Sequence, residues 1–232
     1  MTNSHSISGS FFKNRTYLFL LSGDKINFLK LVYGRFHKLP FFLYIFYMES
    51  LIINFFGGPG IGKSTQSAGL FTEMKKHHMD VELTYEFPKI VAWEENYSAV
   101  KDQFYITANQ HRNISRLYGK VKYIIVDSPI ILGMVYKDRY SKEPEYPAMF
   151  YDESFDNFVL SLFKKYNSLN ILLTRNDETY DENGRFQNLQ ESKEIDNDIK
   201  QKLLSNNLPF VEFSVGINTP LDIFSYITHN KI

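Results

Sequence analysis

An α/β fold, with a five-stranded parallel sheet between two helical layers, is the architecture the sequence predicts. Three observations predict it. Apolar runs of strand length alternate with helical patterns from residue 48 onward. The first run passes directly into a glycine-rich loop and then a helix. The polar residues that punctuate the runs fall at their carboxyl ends. Such alternation implies parallel strands covered on both faces, and open sheets of this class bind ligands beyond the carboxyl ends of the strands.

The elements follow in order. Residues 51–56 (LIINFF) read as a buried central strand, and 63–78 as the next helix. Residues 81–87 (VELTYEF) alternate as a second strand, followed by helical patterns that include 102–118. Residues 121–126 (VKYIIV) are the third strand. A Tyr- and Pro-rich patch at 136–152 and a helix at 155–166 come next. The fourth strand is 169–174 (LNILLT). A polar loop at 175–190 then leads into a helix at 191–204, whose Ile195, Ile199 and Leu203 recur every four residues on one face. Residues 209–215 form the fifth strand and 221–229 a closing helix. No internal repeat is visible.

The stretch LIINFFGGPGIGKST carries the chemistry. Gly57, Gly62, Lys63 and Ser64 satisfy the pattern G-x-x-x-x-G-K-[ST]. Glycines let main-chain N–H groups curl around a phosphate without a Cβ in the way. The helix that opens there turns its positive dipole end toward the anion. Gly57, Gly58, Gly60, Ile61, Gly62, Lys63, Ser64 and Thr65 are therefore the candidate nucleotide-binding residues, with Lys63 reaching the β- and γ-phosphates and Ser64 holding Mg²⁺. The rival dinucleotide fingerprint G-x-G-x-x-G fails, because the position after Gly58-Pro59-Gly60 that needs glycine holds Lys63.

Composition bounds the alternatives. The 232-residue chain carries 26 basic and 26 acidic side chains, so no overall basic signature of nucleic-acid binding is present. The absence of cysteine removes disulfides, thiolate metal sites and thiol nucleophiles, and is compatible with a reducing cytoplasm. The six histidines show no metal-ligand spacing. The first 47 residues hold six basic side chains and one acidic one, are crowded with Phe, Tyr and Leu, and show no clear helical or strand period. Their most apolar run, LPFFLYIFY, falls short of the ~20 residues a membrane span needs. We expect residues 1–47 to be a non-core extension with little stable structure, and 48–232 to be the working domain.

Other candidates cluster at the strand tips. Asp127 follows YIIV and is expected to help hold Mg²⁺, the competing reading being a helix cap before Ser128-Pro129. Many hydrolytic motors carry a glutamate after this acid. Ser128 stands there instead, which tilts the case from hydrolysis toward transfer to a bound acceptor. Glu86, at the second strand's tip, suits orienting or deprotonating an acceptor hydroxyl, and Lys89 suits an anionic substrate. Gln103 and Gln110 lie seven apart on one helix face and suit base or amide recognition; Arg112 and Arg116 lie on another and suit phosphate. Arg185, in the polar loop, is the candidate to meet transferring phosphate charge, as is Arg175 at the loop's base.

With FFGGPGIGKST, GLFTEMK, VELTYEFPK, VDSP and GRFQ…EIDNDIK in view, residues 48–232 resemble phage-encoded P-loop ATP-binding proteins related to the ATPase domain of ribosylnicotinamide kinases. The resemblance implies a three-layer, kinase-like P-loop NTPase fold, with Lys63, Ser64 and Asp127 as nucleotide and metal residues. It also suggests a phage or prophage setting, hence a host cytoplasm. Residues 1–47 lie outside it.

The expected function is transfer of the γ-phosphate of ATP, with Mg²⁺, to a small nucleoside- or nucleotide-like acceptor. No N-K-x-D guanine-reading motif is visible, which favours ATP over GTP. Two other readings stay open: an ATP-dependent binding or regulatory NTPase acting on a protein partner, and a kinase of modified DNA bases that uses a local basic patch of Arg112, Arg116 and Lys120.

Overall fold

The computed structural model describes residues 49–142, 153–176 and 188–230, and the backbone of 16–22, 25–36 and 39–46. The chain divides into two compact units, Met1–Met48 and Glu49–Ile232.

The first unit contains an antiparallel sheet in the order β1 (Thr16–Ser22), β2 (Lys25–Phe36), β3 (Leu39–Phe46). Thr16 pairs with Leu31 and Ser22 with Lys25; Leu29 pairs with Phe46 and Phe36 with Leu39. These strands are regular structure that the sequence did not reveal. Runs such as TYLFLL and FFLYIF are rich in strand formers, but they are apolar at successive positions, so no two-residue period reveals them.

The second unit is built on five parallel strands: β4 (Leu51–Phe56), β5 (Val81–Thr84), β6 (Tyr123–Val126), β7 (Ser168–Thr174) and β8 (Val211–Ser214), in the spatial order β5-β6-β4-β7-β8. Its helices are α1 (Lys63–Lys76), α2 (Phe87–Trp93), α3 (Tyr97–Lys101), α4 (Gln103–Ser115), α5 (Leu132–Tyr140), α6 (Glu153–Phe163), α7 (Leu189–Ser205) and α8 (Thr219–His229). All six residues of β4 are buried, as a strand flanked on both sides and both faces requires. Alternate side chains divide between two cores. Ile53 and Phe55 join Leu70 and Met74 of α1 and Ile223 and Ile227 of α8. Ile52 and Phe56 join Ile114 of α4, Met134 and Val135 of α5, Phe155 and Val159 of α6, and Ile195, Ile199 and Leu203 of α7.

The periodic reading of α7 holds, and its start moves to Leu189 because Asn188 and Glu191 form a reciprocal capping box, each accepting from the other's backbone N–H at 2.9 Å. The second strand is shorter than expected. It stops at Thr84, and Phe87-Pro88 opens α2 instead, since proline suits the first turn of a helix and cannot serve a sheet interior. One polar pair crosses the central sheet: Asn54 Nδ2 donates to Asn170 Oδ1 at 2.9 Å, and Asn170 Nδ2 donates to the Pro209 carbonyl at 2.8 Å.

A charge network fastens α5 to α6 and α7. Lys137, 7% exposed, lies 2.8 Å from both Asp138 and Asp156, and Lys202 lies 2.5 Å from Asp138. Arg139 lies 2.5 Å from Asp198. Partial burial raises the Asp138 pKa, but hydrogen bonds from Lys137 and Lys202 outweigh that and hold it below its ordinary 3.8.

Leu203→Ala empties a fully buried position on α7 and is expected to cost about 2–5 kcal/mol of unfolding free energy in urea denaturation. Because the folded pKa of Asp138 is depressed, its contribution to stability is complete above about pH 4 and is lost as pH falls through the folded value. Asp138→Asn should therefore lower stability near neutrality and flatten the acid limb of a stability-against-pH curve.

Candidate nucleotide site

The site begins where β4 ends. Gly57, Gly60 and Gly62 take φ values of 150, 74 and 97°, a sequence of backbone states that side-chain-bearing residues rarely adopt. Gly62 caps α1 without a side-chain acceptor, and the helix has no acidic residue in its first turn. Its first backbone bond, Gln66 N–H to the Gly62 carbonyl at 2.9 Å, leaves the amides of Lys63, Ser64 and Thr65 outside the helical ladder. Ser64 and Thr65 are exposed at this opening, and Ile61 is buried beneath the loop against Gly57. The result is a helix terminus with a positive end and open donors, an arrangement suited to an anion.

Lys63 folds back over the loop. Its Nζ donates to the carbonyls of Gly57 at 2.8 Å and Gly58 at 3.0 Å, which fixes the ammonium at the rim. Two of its three donors are thereby engaged.

Two carboxylates face this ammonium. Asp127, at the tip of β6, is 6% exposed. Burial raises its pKa, and the opposing pull of Lys63, a hydrogen bond from Ser64 and the charge of Lys89 does not cancel it. Its Oδ1 is buried with no hydrogen-bond partner among the described residues. The competing reading of Asp127 as a helix cap does not hold: α5 starts only at Leu132, and its cap position is Ile131. Glu86 precedes α2, yet its side chain makes no capping bond. It too is raised, by burial first and by Asp127, against the attraction of Lys63 and Lys89. Lys63, Ser64, Glu86, Lys89 and Asp127, drawn from the ends of β5 and β6 and the starts of α1 and α2, thus share one electrostatic environment.

A cation fits beside Asp127. An unpartnered buried carboxylate oxygen next to the Ser64 hydroxyl is hard-oxygen chemistry of the kind Mg²⁺ takes. No group of three or more His, Cys, Asp or Glu side chains able to hold a metal occurs among the described residues. A metal here would thus complete its shell with phosphate oxygens and water.

The remaining candidates separate. Gln103 and Gln110 are 3% and 4% exposed on the inner face of α4, and Gln110 Nε2 donates to Ser128 Oγ at 2.6 Å. Between them on that face lies fully buried Thr107; Thr107 Oγ1 and Gln110 Oε1 have no partner among the described residues. Arg112 is exposed on another face of α4, apart from these glutamines. Lys89 is exposed on α2. Arg175 lies in the crevice wall: its Nε donates to Asp196 Oδ2 at 2.5 Å and its Nη2 to the Pro59 carbonyl at 2.6 Å. Arg185, and the part of the Tyr- and Pro-rich patch at 143–152, lie outside the described residues.

Sequence reasoning missed Thr107 and Asp196, and placed Tyr136 only within the Tyr- and Pro-rich patch. The Tyr136 hydroxyl is pushed far above its ordinary pKa by burial and by the negative charge around it, with Tyr140, Glu86 and Asp196 all in range. Asp196 follows Ile195 of the apolar stripe on α7, and with fully buried Ser192 it forms a polar i, i+4 row beside that stripe. That row was the available signal.

Comparisons with known proteins place the fold. No curated protein sequence matches the chain. Among solved structures, a NadR protein in complex with NR superposes with a TM-score of 0.60 at 14% identity, over 79% of this chain and 52% of its own. This chain thus spans about half the length of that protein. Deoxyadenosine kinase from M. mycoides with bound dCTP gives 0.53 at 17% identity, over 78% of this chain and 100% of its own. Thymidylate kinase from Ehrlichia chaffeensis gives 0.51 at 14%, over 77% and 99%. At these identities the likeness is one of fold, and it is the kinase-like P-loop fold. The AAA domain family matches residues 52–218, spanning the phosphate loop and all five parallel strands, and the chain belongs to that family.

Proposed function

We propose that the unit from Glu49 onward binds ATP with Mg²⁺ and transfers the γ-phosphate to a small acceptor of nucleoside or nucleotide type. The observation that carries this reading is the cluster of Lys63, Ser64, Glu86 and Asp127 at the mouth of an uncapped helix. Phosphoryl transfer needs little covalent help from a protein; positioning and charge stabilisation do most of it. The loop amides and Lys63 grip the triphosphate tail. Ser64 and Asp127 would hold the metal, which supplies charge neutralisation at the phosphates. Glu86, uncommitted to a helix cap and raised in pKa, is suited to accept the acceptor hydroxyl's proton or to orient that hydroxyl. Ser128 hydrogen-bonds Gln110, which leaves no carboxylate there to polarise a water. On the inner face of α4, Gln110 Oε1 and Thr107 Oγ1 are acceptors suited to an N–H or O–H donor on the acceptor molecule. Arg185 is assigned to the transferring phosphate by sequence alone.

A second reading rests on exposed apolar surface next to the crevice. Tyr85, Ile90, Trp93 and Tyr97 are 76, 46, 79 and 51% exposed. Such a surface would suit a nucleotide-regulated contact with a protein partner, in which case no small acceptor accelerates ATP turnover.

A screen of nucleosides, nucleotides and related metabolites with labelled ATP separates the two. Lys63→Ala is expected to reduce transfer roughly 10²–10³-fold; full retention would end the kinase reading. Glu86→Gln is expected to lower kcat roughly 10²–10⁴-fold while MgATP affinity, read by calorimetry, changes little. Equal losses in both would remove Glu86 from the chemical step.

A further inference from the structure

One carboxylate outside the catalytic cluster holds the phosphate loop from the side. Asp196 Oδ1 accepts from the Gly58 N–H at 2.5 Å, across 138 positions of sequence. Its Oδ2 accepts from Arg175 Nε at 2.5 Å, and Arg175 Nη2 donates to the Pro59 carbonyl at 2.6 Å. The side chains of the pair are 12% and 22% exposed. A Cβ on Gly58 would meet Asp196 Oδ1 at 2.7 Å and the Ser192 carbonyl at 2.8 Å, so the loop lies directly on α7 and residue 58 is confined to glycine by that contact. Two consecutive loop residues are thus fastened, one through its donor and one through its acceptor, by an ion pair that bridges β7 and α7.

This arrangement poses an electrostatic problem. A triphosphate site does not benefit from an aspartate in hydrogen-bond contact with its own loop, because like charges at a few ångströms repel. Tyr136 registers the same negative charge, since Asp196 contributes to the rise in its pKa. We propose that Arg175 and Asp196 act as a pair of positioning residues: Asp196 fixes the loop through Gly58, and Arg175 both fixes it through Pro59 and supplies the counter-charge that makes the aspartate tolerable beside an anion. The inference rests on the nucleotide-binding reading above for its second half only; the bracing of the loop does not depend on it.

The pair makes a prediction that simple structural support does not. Removing the arginine alone leaves an aspartate next to the triphosphate, and removing both charges relieves it. MgATP affinity measured by calorimetry should fall roughly tenfold or more in Arg175→Gln and recover in the double variant R175Q/D196N to near the value of Asp196→Asn alone. Turnover should show the same order in KM for MgATP, with KM for the phosphoryl acceptor little changed. A folded double variant that binds as weakly as Arg175→Gln, or more weakly, overturns the counter-charge role, as does an Arg175→Gln variant with wild-type affinity. Amide hydrogen exchange on nucleotide-free protein reads the brace separately: Asp196→Ala and Arg175→Gln should speed exchange of the Gly58–Gly62 amides and leave the end of α7 near Leu203 unchanged. Unaltered loop exchange in both variants overturns the brace. Faster loop exchange together with a wild-type protein that binds no MgATP would uphold the brace and instead remove the nucleotide reading.

Discussion

The backbone amides at the start of α1 are the constraint around which the second unit is organised. A helix terminus that faces solvent normally receives a side-chain cap. Here the cap position is Gly62 with φ 97°, no side chain takes the cap's place, and no carboxylate sits in the first turn to offset the dipole. Burying β4 on both faces aims this terminus. With α1 packed over one face of the sheet, the loop between strand and helix turns at the carboxyl edge, where β5, β6 and β7 also end. The positive terminus and the acidic tips of neighbouring strands therefore meet by topology. Glu86 and Asp127 carry raised pKa values because that meeting takes place in a partly desolvated crevice, and Lys63 only partly offsets the burial.

The loop is held from three directions. Lys63 ties its own carbonyls together from within, Ile61 anchors it in the core beneath, and the Asp196–Arg175 pair secures its outer edge to α7 and β7. Preorganisation of this kind matters because a flexible glycine-rich segment would otherwise lose conformational entropy at the moment of binding. The charge network of Lys137, Asp138, Asp156 and Lys202 performs a related task further out, holding α5, and with it Tyr136, against α6 and α7.

What could be read from the chain follows the range of the forces involved. The phosphate loop was legible because its chemistry is local: strand, glycines, lysine and helix are contiguous in sequence. The parallel sheet was legible because its strands are short apolar runs separated by helical segments, and the buried face of α7 was visible in Ile195, Ile199 and Leu203. Errors arose where local patterns conflict. VELTYEF alternates like a strand through Phe87, but Pro88 favours a helix start, and the strand yields at Thr84. In the first unit, continuous apolar runs hid three antiparallel strands. Thr107 was out of reach; for Asp196 the Ser192–Asp196 row was the one local hint, and it is weak because a polar residue beside an apolar stripe usually faces water and its partners Gly58 and Arg175 are distant in sequence. Gln103 and Gln110 share a face as their spacing required, whereas the exposure of Arg112 depends on which face of α4 packs inward, and that is decided by α5 and β6.

Everything proposed for the second unit requires that the main chain between β4 and α1 grip an anion. The most direct measurement is a titration of isotopically labelled protein with MgATP, following backbone amide resonances. The largest shifts should fall on Gly57 through Thr65 and on Asp127, saturating with a single affinity. Saturating MgATP that leaves those resonances in place would contradict it.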